Sequence, residues 1–152
     1  MRVEQGDTLR SVSFFIERLL ESTSQGMRAI VRHEARSFEV ELVGPKERLQ
    51  TIVGTTVNCE LEAKQVESCR VLERDDADSH GIFPVGPNTV RIVGSVVSVI
   101  DVSEEAWVID LYSSRGPEFI AFDSTELNGA RWEKGTPIEL IIVGLQCFPT
   151  WT

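Results

Sequence analysis

Residues 8–22 read Thr-Leu-Arg-Ser-Val-Ser-Phe-Phe-Ile-Glu-Arg-Leu-Leu-Glu-Ser, and two readings of this stretch lead to two different folds. Leu9, Val12, Ile16 and Leu19 fall at helical spacing, with Phe15 and Leu20 beside them, and Asp7 or Thr8 can cap the start. Read alone, the stretch predicts an N-terminal amphipathic helix over 8–22. Laid over residues 89–103 at an offset of 81, it becomes the counterpart of Thr-Val-Arg-Ile-Val-Gly-Ser-Val-Val-Ser-Val-Ile-Asp-Val-Ser, a β-branched run that reads as a strand.

That offset extends without a gap from residues 7–71 onto 88–152. It keeps eight identities: Thr8/Thr89, Arg10/Arg91, Val12/Val93, Ser22/Ser103, Phe38/Phe119, Gly54/Gly135, Thr55/Thr136 and Gln65/Gln146. Apolar character is also kept at pairs such as Val57/Ile138 and Cys59/Leu140. A repeat of this kind reads as a diverged duplication of a small β unit. Two points resist it. The first is the helical spacing of 8–22; the second is parity, because Phe38 falls opposite Phe119 while the apolar alternation of the second half selects Ile120 and Phe122, and a one-residue slip turns every side chain of a strand over.

The rest of the chain is punctuated as strands and turns. Phe38, Val40 and Leu42 alternate with Glu39 and Glu41, and Val57, Cys59 and Leu61 alternate with Asn58, Glu60 and Glu62, which predicts half-buried strands with an acidic solvated face. Residues 73–88, Glu-Arg-Asp-Asp-Ala-Asp-Ser-His-Gly-Ile-Phe-Pro-Val-Gly-Pro-Asn, combine an acid run with two Gly and two Pro and read as a linker. Beyond it, 89–102 is a long strand with Gly94 inside it, a residue that marks a bend or bulge. Residues 107–112 and 118–122 form a hairpin through Ser113–Pro117, 123–134 has room for a helical turn, and 136–143 and 146–148 are strands. Because 138–143 is apolar on both faces, it requires a neighbour beyond its own barrel, either the other half or a second copy in a homodimer. The expected fold is β-rich α+β: an N-terminal half over 1–72 with its helix, the acidic Gly/Pro linker, and an OB-like barrel over 89–152.

The 152 residues are 41% apolar and 26% charged, with a formal net charge of −9. Before residue 80 there are 11 basic and 15 acidic residues; after it, 4 and 9. A field of that sign repels phosphate and disfavours nucleic acid. No apolar run is long enough to span a membrane and residues 1–7 lead into no signal-peptide core, so a cytoplasmic location is expected. Cys59, Cys69 and Cys147 form neither a CxxC pair nor an even framework and read as reduced, mostly buried thiols.

Chemistry-bearing motifs are few. No Gly-rich phosphate loop, HExxH, GxSxG or CxxC occurs. His33 reads as a turn or edge residue between two strands, and the Asp-x-Asp-x-x-Gly fragment ending at Gly81 places Pro87 where a calcium loop needs its last acid. Arg28, Arg32 and Arg36 read as salt-bridge partners of nearby acids. The expectation is therefore no catalytic residue, no metal and no cofactor. Trp107, Trp132, Trp151 and Tyr112 all stand in the base-poor half, where exposed aromatics among acids suit a basic protein partner. The candidate partner-binding residues are Glu104, Glu105, Trp107, Asp110, Trp132 and Trp151. The expected function is a non-catalytic acidic protein-binding module of inhibitor or immunity type. The alternative is an OB-like binder of oligonucleotides or oligosaccharides.

Overall fold

The computed structural model describes residues 11–74, 79–101, 105–113, 116–123 and 133–150. Of the stretch 8–22, residues 8–10 lie outside the described residues, and the rest is not a helix: Ser11–Ser22 forms strand β1, paired antiparallel with β2 (Gly26–His33) on one edge and with β4 (Thr56–Val71) on the other. Its core face is Val12, Phe14 and Ile16, at period two, while Ser13, Phe15 and Glu17 point to the outer side. Residues 12 and 16 share a face in a helix and in a strand alike, so only Phe14, which the helical reading passed over, distinguishes them. Two available strand edges then supply the backbone partners that a lone helix would have found within itself.

After β3 (Arg36–Val43), the helix α1 (Lys46–Thr51) makes a turn and a half and sends Leu49 into the core. The remaining strands are β5 (Gly81–Gly86), β6 (Thr89–Asp101), β7 (Glu105–Ser113), β8 (Gly116–Asp123) and β9 (Pro137–Pro149). All nine belong to one sheet, in the order β3-β2-β1-β4-β9-β6-β7-β8, with β5 on β6. The segment read as linker thus contains a strand, held by register from Gly81 opposite Val93 to Gly86 opposite Thr89. Residues 75–78, with both acids of the calcium-like fragment, lie outside the described residues.

A parallel pairing of β3 with β9, Glu41 opposite Gln146 and Leu42 opposite Cys147, closes β1, β2, β3, β4 and β9 into a five-stranded barrel. Strand β9 makes this closure by changing partners along one edge. Residues 137–143 pair with β6 and residues 146–147 with β3, while its other edge follows β4 throughout. Gly144, at φ +74°, sits at the changeover, and its N–H donates to Asn88 O at 2.9 Å. Both edges of 138–143 are therefore occupied within the chain, by one strand from each half. Inward residues of both halves form one core that includes Phe14, Val31, Val40, Ile92, Ile109, Ile120 and Ile142, each worth about 1.5–3 kcal/mol on burial.

The offset of 81 has a structural counterpart. Strands β1, β2, β3 and β4, moved by 81, fall on 92–103, 107–114, 117–124 and 137–152, overlapping β6, β7, β8 and β9 in turn. The matching turns are built alike. Gly54 and Gly135 both have positive φ, Gly54 N–H bonds Ile16 O and Gly135 N–H bonds Val96 O, and Thr55 and Thr136 each return a hydroxyl at 2.7 Å to the carbonyl three residues back. Val12/Ile92, Ile16/Val96 and Val40/Ile120 are buried on both sides at an offset of 80, while the turns and β9 correspond at 81.

Two carboxylates are built into the sheet between the halves. Glu139 on β9 lies between Arg70 of β4 and Arg91 of β6, at 2.7 and 2.5 Å. The Arg70 hydrogen bond, with Arg91 added, outweighs burial and holds the Glu139 carboxyl down at about 2. Burial pushes Glu41 upward, but hydrogen bonds from Thr23 and Gln146 and the Lys64 ammonium more than offset it, so its carboxyl sits below the usual range. Glu41, expected on the solvated face, is buried beneath Gln146.

Candidate functional site

Strand β2 ends at His33, and the chain reverses through Glu34 and Ala35 so that His33 pairs with Arg36. Both turn residues have positive φ, 58° and 84°, the geometry of a type I′ hairpin that Asn-Gly ordinarily supplies. His33 is buried, not the turn or edge residue its sequence context suggests. Its ring meets Phe14 edge-on at 5.6 Å, and its Nε2 lies 2.8 Å from Glu118 Oε1 on β8. The second oxygen of Glu118 accepts the Ser13 backbone N–H at 2.6 Å. One carboxylate from the second half thus ties together two strands of the first.

Ser13, His33 and Glu118 wall a cavity of about 310 Å³, whose lining also includes Phe15, Arg32, Glu34 and Thr56. Arg32 lies over the Phe15 ring, 4.5 Å from its centroid, and pairs with Glu17 at 3.2 Å, so its charge is held at the outer barrel wall. The Ser13 hydroxyl donates to Asn58 Oδ1 at 2.7 Å and is engaged in the sheet rather than aimed at a substrate. One donor atom from each of His33, Glu34 and Glu118 can be chosen so that all three lie within 4.8 Å of one another. Spacing in the sequence gave no sign of this group, because Glu118 is 85 residues from His33.

A second concentration of acid lies on β4. Glu60 and Glu62 occupy successive outward positions, and Glu67 is exposed at the bulge between Val66 and Ser68. The two cations of this strand, Lys64 and Arg70, are themselves exposed and pair with buried carboxylates, Lys64 with Glu41 at 3.4 Å and Arg70 with Glu139 at 2.7 Å. Among the described residues, the outer face of β4 therefore carries three exposed acids beside two cations that are already paired.

Of the residues expected to meet a partner, Glu105, Trp107 and Asp110 fall on β7, and Asp110 is half-buried. Glu104, Trp132 and Trp151 lie outside the described residues. The expected arginine pairing is seen for Arg28, which meets Glu21 and Glu39, and for Arg32 with Glu17; Arg36 instead lies over the Phe83 ring at 4.3 Å. No helix among the described residues is long and apolar enough to cross a membrane. No protein-family model matches the chain, and no curated protein matches it.

Proposed function

We propose that this protein is a non-catalytic acidic binding module, an inhibitor or immunity-type protein whose partner is a basic enzyme or toxin. The observation that carries this reading is the outer face of β4, where Glu60, Glu62 and Glu67 stand exposed while Lys64 and Arg70 are spent on buried carboxylates. Under a net charge of −9, such a face raises the rate of encounter with a positively charged surface and disfavours acidic competitors. The aromatic residues of the second half, with Glu104, Glu105 and Asp110, supply the remainder of the contact in this reading.

The scaffold is read as a diverged duplication of an OB-like barrel. Support comes from the strand-by-strand overlap at an offset of 81, the equivalent Gly54-Thr55 and Gly135-Thr136 turns, and the closed five-stranded barrel. The same barrel favours a second reading, an oligonucleotide binder using Phe15 and Arg32 on its outer wall. Against it, Glu17, Glu21 and Glu39 neutralise Arg32 and Arg28 on that wall.

The experiment is affinity capture by the purified chain of basic proteins encoded beside it, repeated with the triple variant E60K/E62K/E67K. Stoichiometric capture by the wild type that weakens at least tenfold in the variant and falls with rising salt supports the first reading. Absence of any such partner, together with a salt-dependent fluorescence change on adding single-stranded DNA, replaces it with the second.

A further inference from the structure

We propose that His33, Glu34 and Glu118 bind one divalent transition-metal ion of the zinc class at the mouth of the 310 Å³ cavity. This inference is independent of the partner-binding reading. The three donors come from the end of β2, the turn after it, and β8, and they already lie within 4.8 Å of one another. Ligands of a tetrahedral zinc ion, bound at about 2.0–2.2 Å, stand roughly 3.3–3.5 Å apart. His33 Nε2 and Glu118 Oε1, 2.8 Å apart, would open by about half an ångström and the third donor would close in by about one.

The donor set selects the ion class. An imidazole with two carboxylates suits zinc and its first-row neighbours, whereas calcium and magnesium take six or more oxygens. A neutral ring and two carboxylates bring a charge of about −2, matched to a dication. Arg32, which lines the same cavity, is held against Phe15 and Glu17. The cavity beside the three residues is several times the roughly 30 Å³ of a water molecule, so a fourth coordination position has room for solvent or a ligand.

Two features bear on how the carboxylate and the ring would hold an ion. The Ser13 N–H grips Glu118 Oε2 and fixes the carboxylate so that Oε1 faces His33, the outer support that metal-binding carboxylates ordinarily have. His33, only 4% exposed, has a second ring nitrogen, Nδ1, buried without a hydrogen-bond partner among the described residues. No second hydrogen bond therefore fixes the tautomer of the ring, and an ion at Nε2 would shift the proton to Nδ1 at the cost of a buried N–H without an acceptor.

The test is calorimetric titration of the purified, fully reduced chain with Zn(II) at pH 7.5, alongside E34Q and E118Q, with Co(II) as a spectroscopic probe. One equivalent should bind to the wild type and raise its melting temperature. E34Q should lose at least tenfold in affinity while keeping a cooperative metal-free melt, which separates ligation from folding. Co(II) should show visible bands of a four- or five-coordinate site without thiolate charge transfer. Absence of saturable binding, equal affinity in E34Q, or thiolate bands pointing to the cysteines would each overturn the assignment.

Discussion

Arg91 on β6 reaches across to Glu139 on β9 at 2.5 Å while Arg70 approaches the same carboxylate from β4, so one buried acid carries the joint between three adjacent strands. Its carboxyl is held at about 2, against a usual value of 4.5, first by the Arg70 hydrogen bond and then by Arg91. A depressed folded-state value means the stabilisation is complete above about pH 4.5 and is lost as pH falls toward 2. Glu139→Gln should lower the melting temperature at pH 7. The gap between variant and wild type should close steadily between pH 4.5 and 2. Thermal melts across that range, with a gap that stays constant, would show that Glu139 is not the group responsible.

Gly94 passes beneath β7 so closely that a methyl group there would lie 2.4 Å from the carbonyl oxygen of Asp110 and 2.6 Å from Ile109 Cγ2. Neither Asp110 O, a backbone atom in the β6–β7 pair, nor the buried Ile109 can give way cheaply. Gly94→Ala should destabilise by about 1–3 kcal/mol, the range for overpacking a filled site. Gly86→Ala provides the control, since its added carbon meets nothing closer than 3.9 Å. Chemical denaturation of the two variants should separate them clearly, and equal midpoints would contradict this packing.

Three thiols are present, and none should react quickly in the folded state. Burial pushes Cys147 far up, with a hydrogen bond to its neighbour Cys59 adding to it, and burial alone raises Cys69 to about 11. At pH 8 the thiolate fraction of Cys69 is then about one part in a thousand, and the thiolate is the nucleophile. A disulfide reagent such as Ellman's should show no fast phase with the native protein and three equivalents after unfolding in guanidinium. A fast equivalent in the native state would place one of these residues in a more open setting.

How much of this was legible beforehand depended on whether the deciding contact was near in sequence. The alternation of Phe38, Val40 and Leu42, and of Cys59 and Leu61, identified core positions correctly because each strand carries its own period-two signal. The same alternation misplaced Glu41, whose cover comes from Gln146 through a parallel pairing 105 residues distant. His33 was misjudged for the same reason, since Glu118 is the residue that gives it a role. Residues 8–22 failed differently: Val12 and Ile16 satisfy both periods, and the preference for strand comes from the edges of β2 and β4, not from the stretch itself. At the parity clash of Phe38 and Phe119 burial does not follow a single offset, since Val40/Ile120 are buried together at 80 while the Gly54-Thr55 and Gly135-Thr136 turns correspond at 81. Helix α1 is a turn and a half, too short to give a periodic signal.

The turn at Glu34-Ala35 offers a direct measure of what the fold gives up to place a carboxylate beside His33. Both residues adopt positive φ without being Gly, Asn or Asp, and for L-residues this costs about 1–2 kcal/mol each. Asn-Gly is the pair that a two-residue hairpin of this geometry prefers. Replacing Glu34-Ala35 by Asn-Gly should therefore stabilise the metal-free protein, by about 1–2 kcal/mol once the extra unfolded-state freedom of Gly is subtracted. The same replacement removes one of the three donors, so it should also abolish the stabilisation that Zn(II) gives the wild type. The two effects are read in one set of melts, with and without zinc: the variant starts higher and does not move, while the wild type starts lower and rises. A variant that melts below the metal-free wild type would mean that Glu34 and Ala35 sit in this turn without strain, and that the left-handed geometry is not what their placement costs.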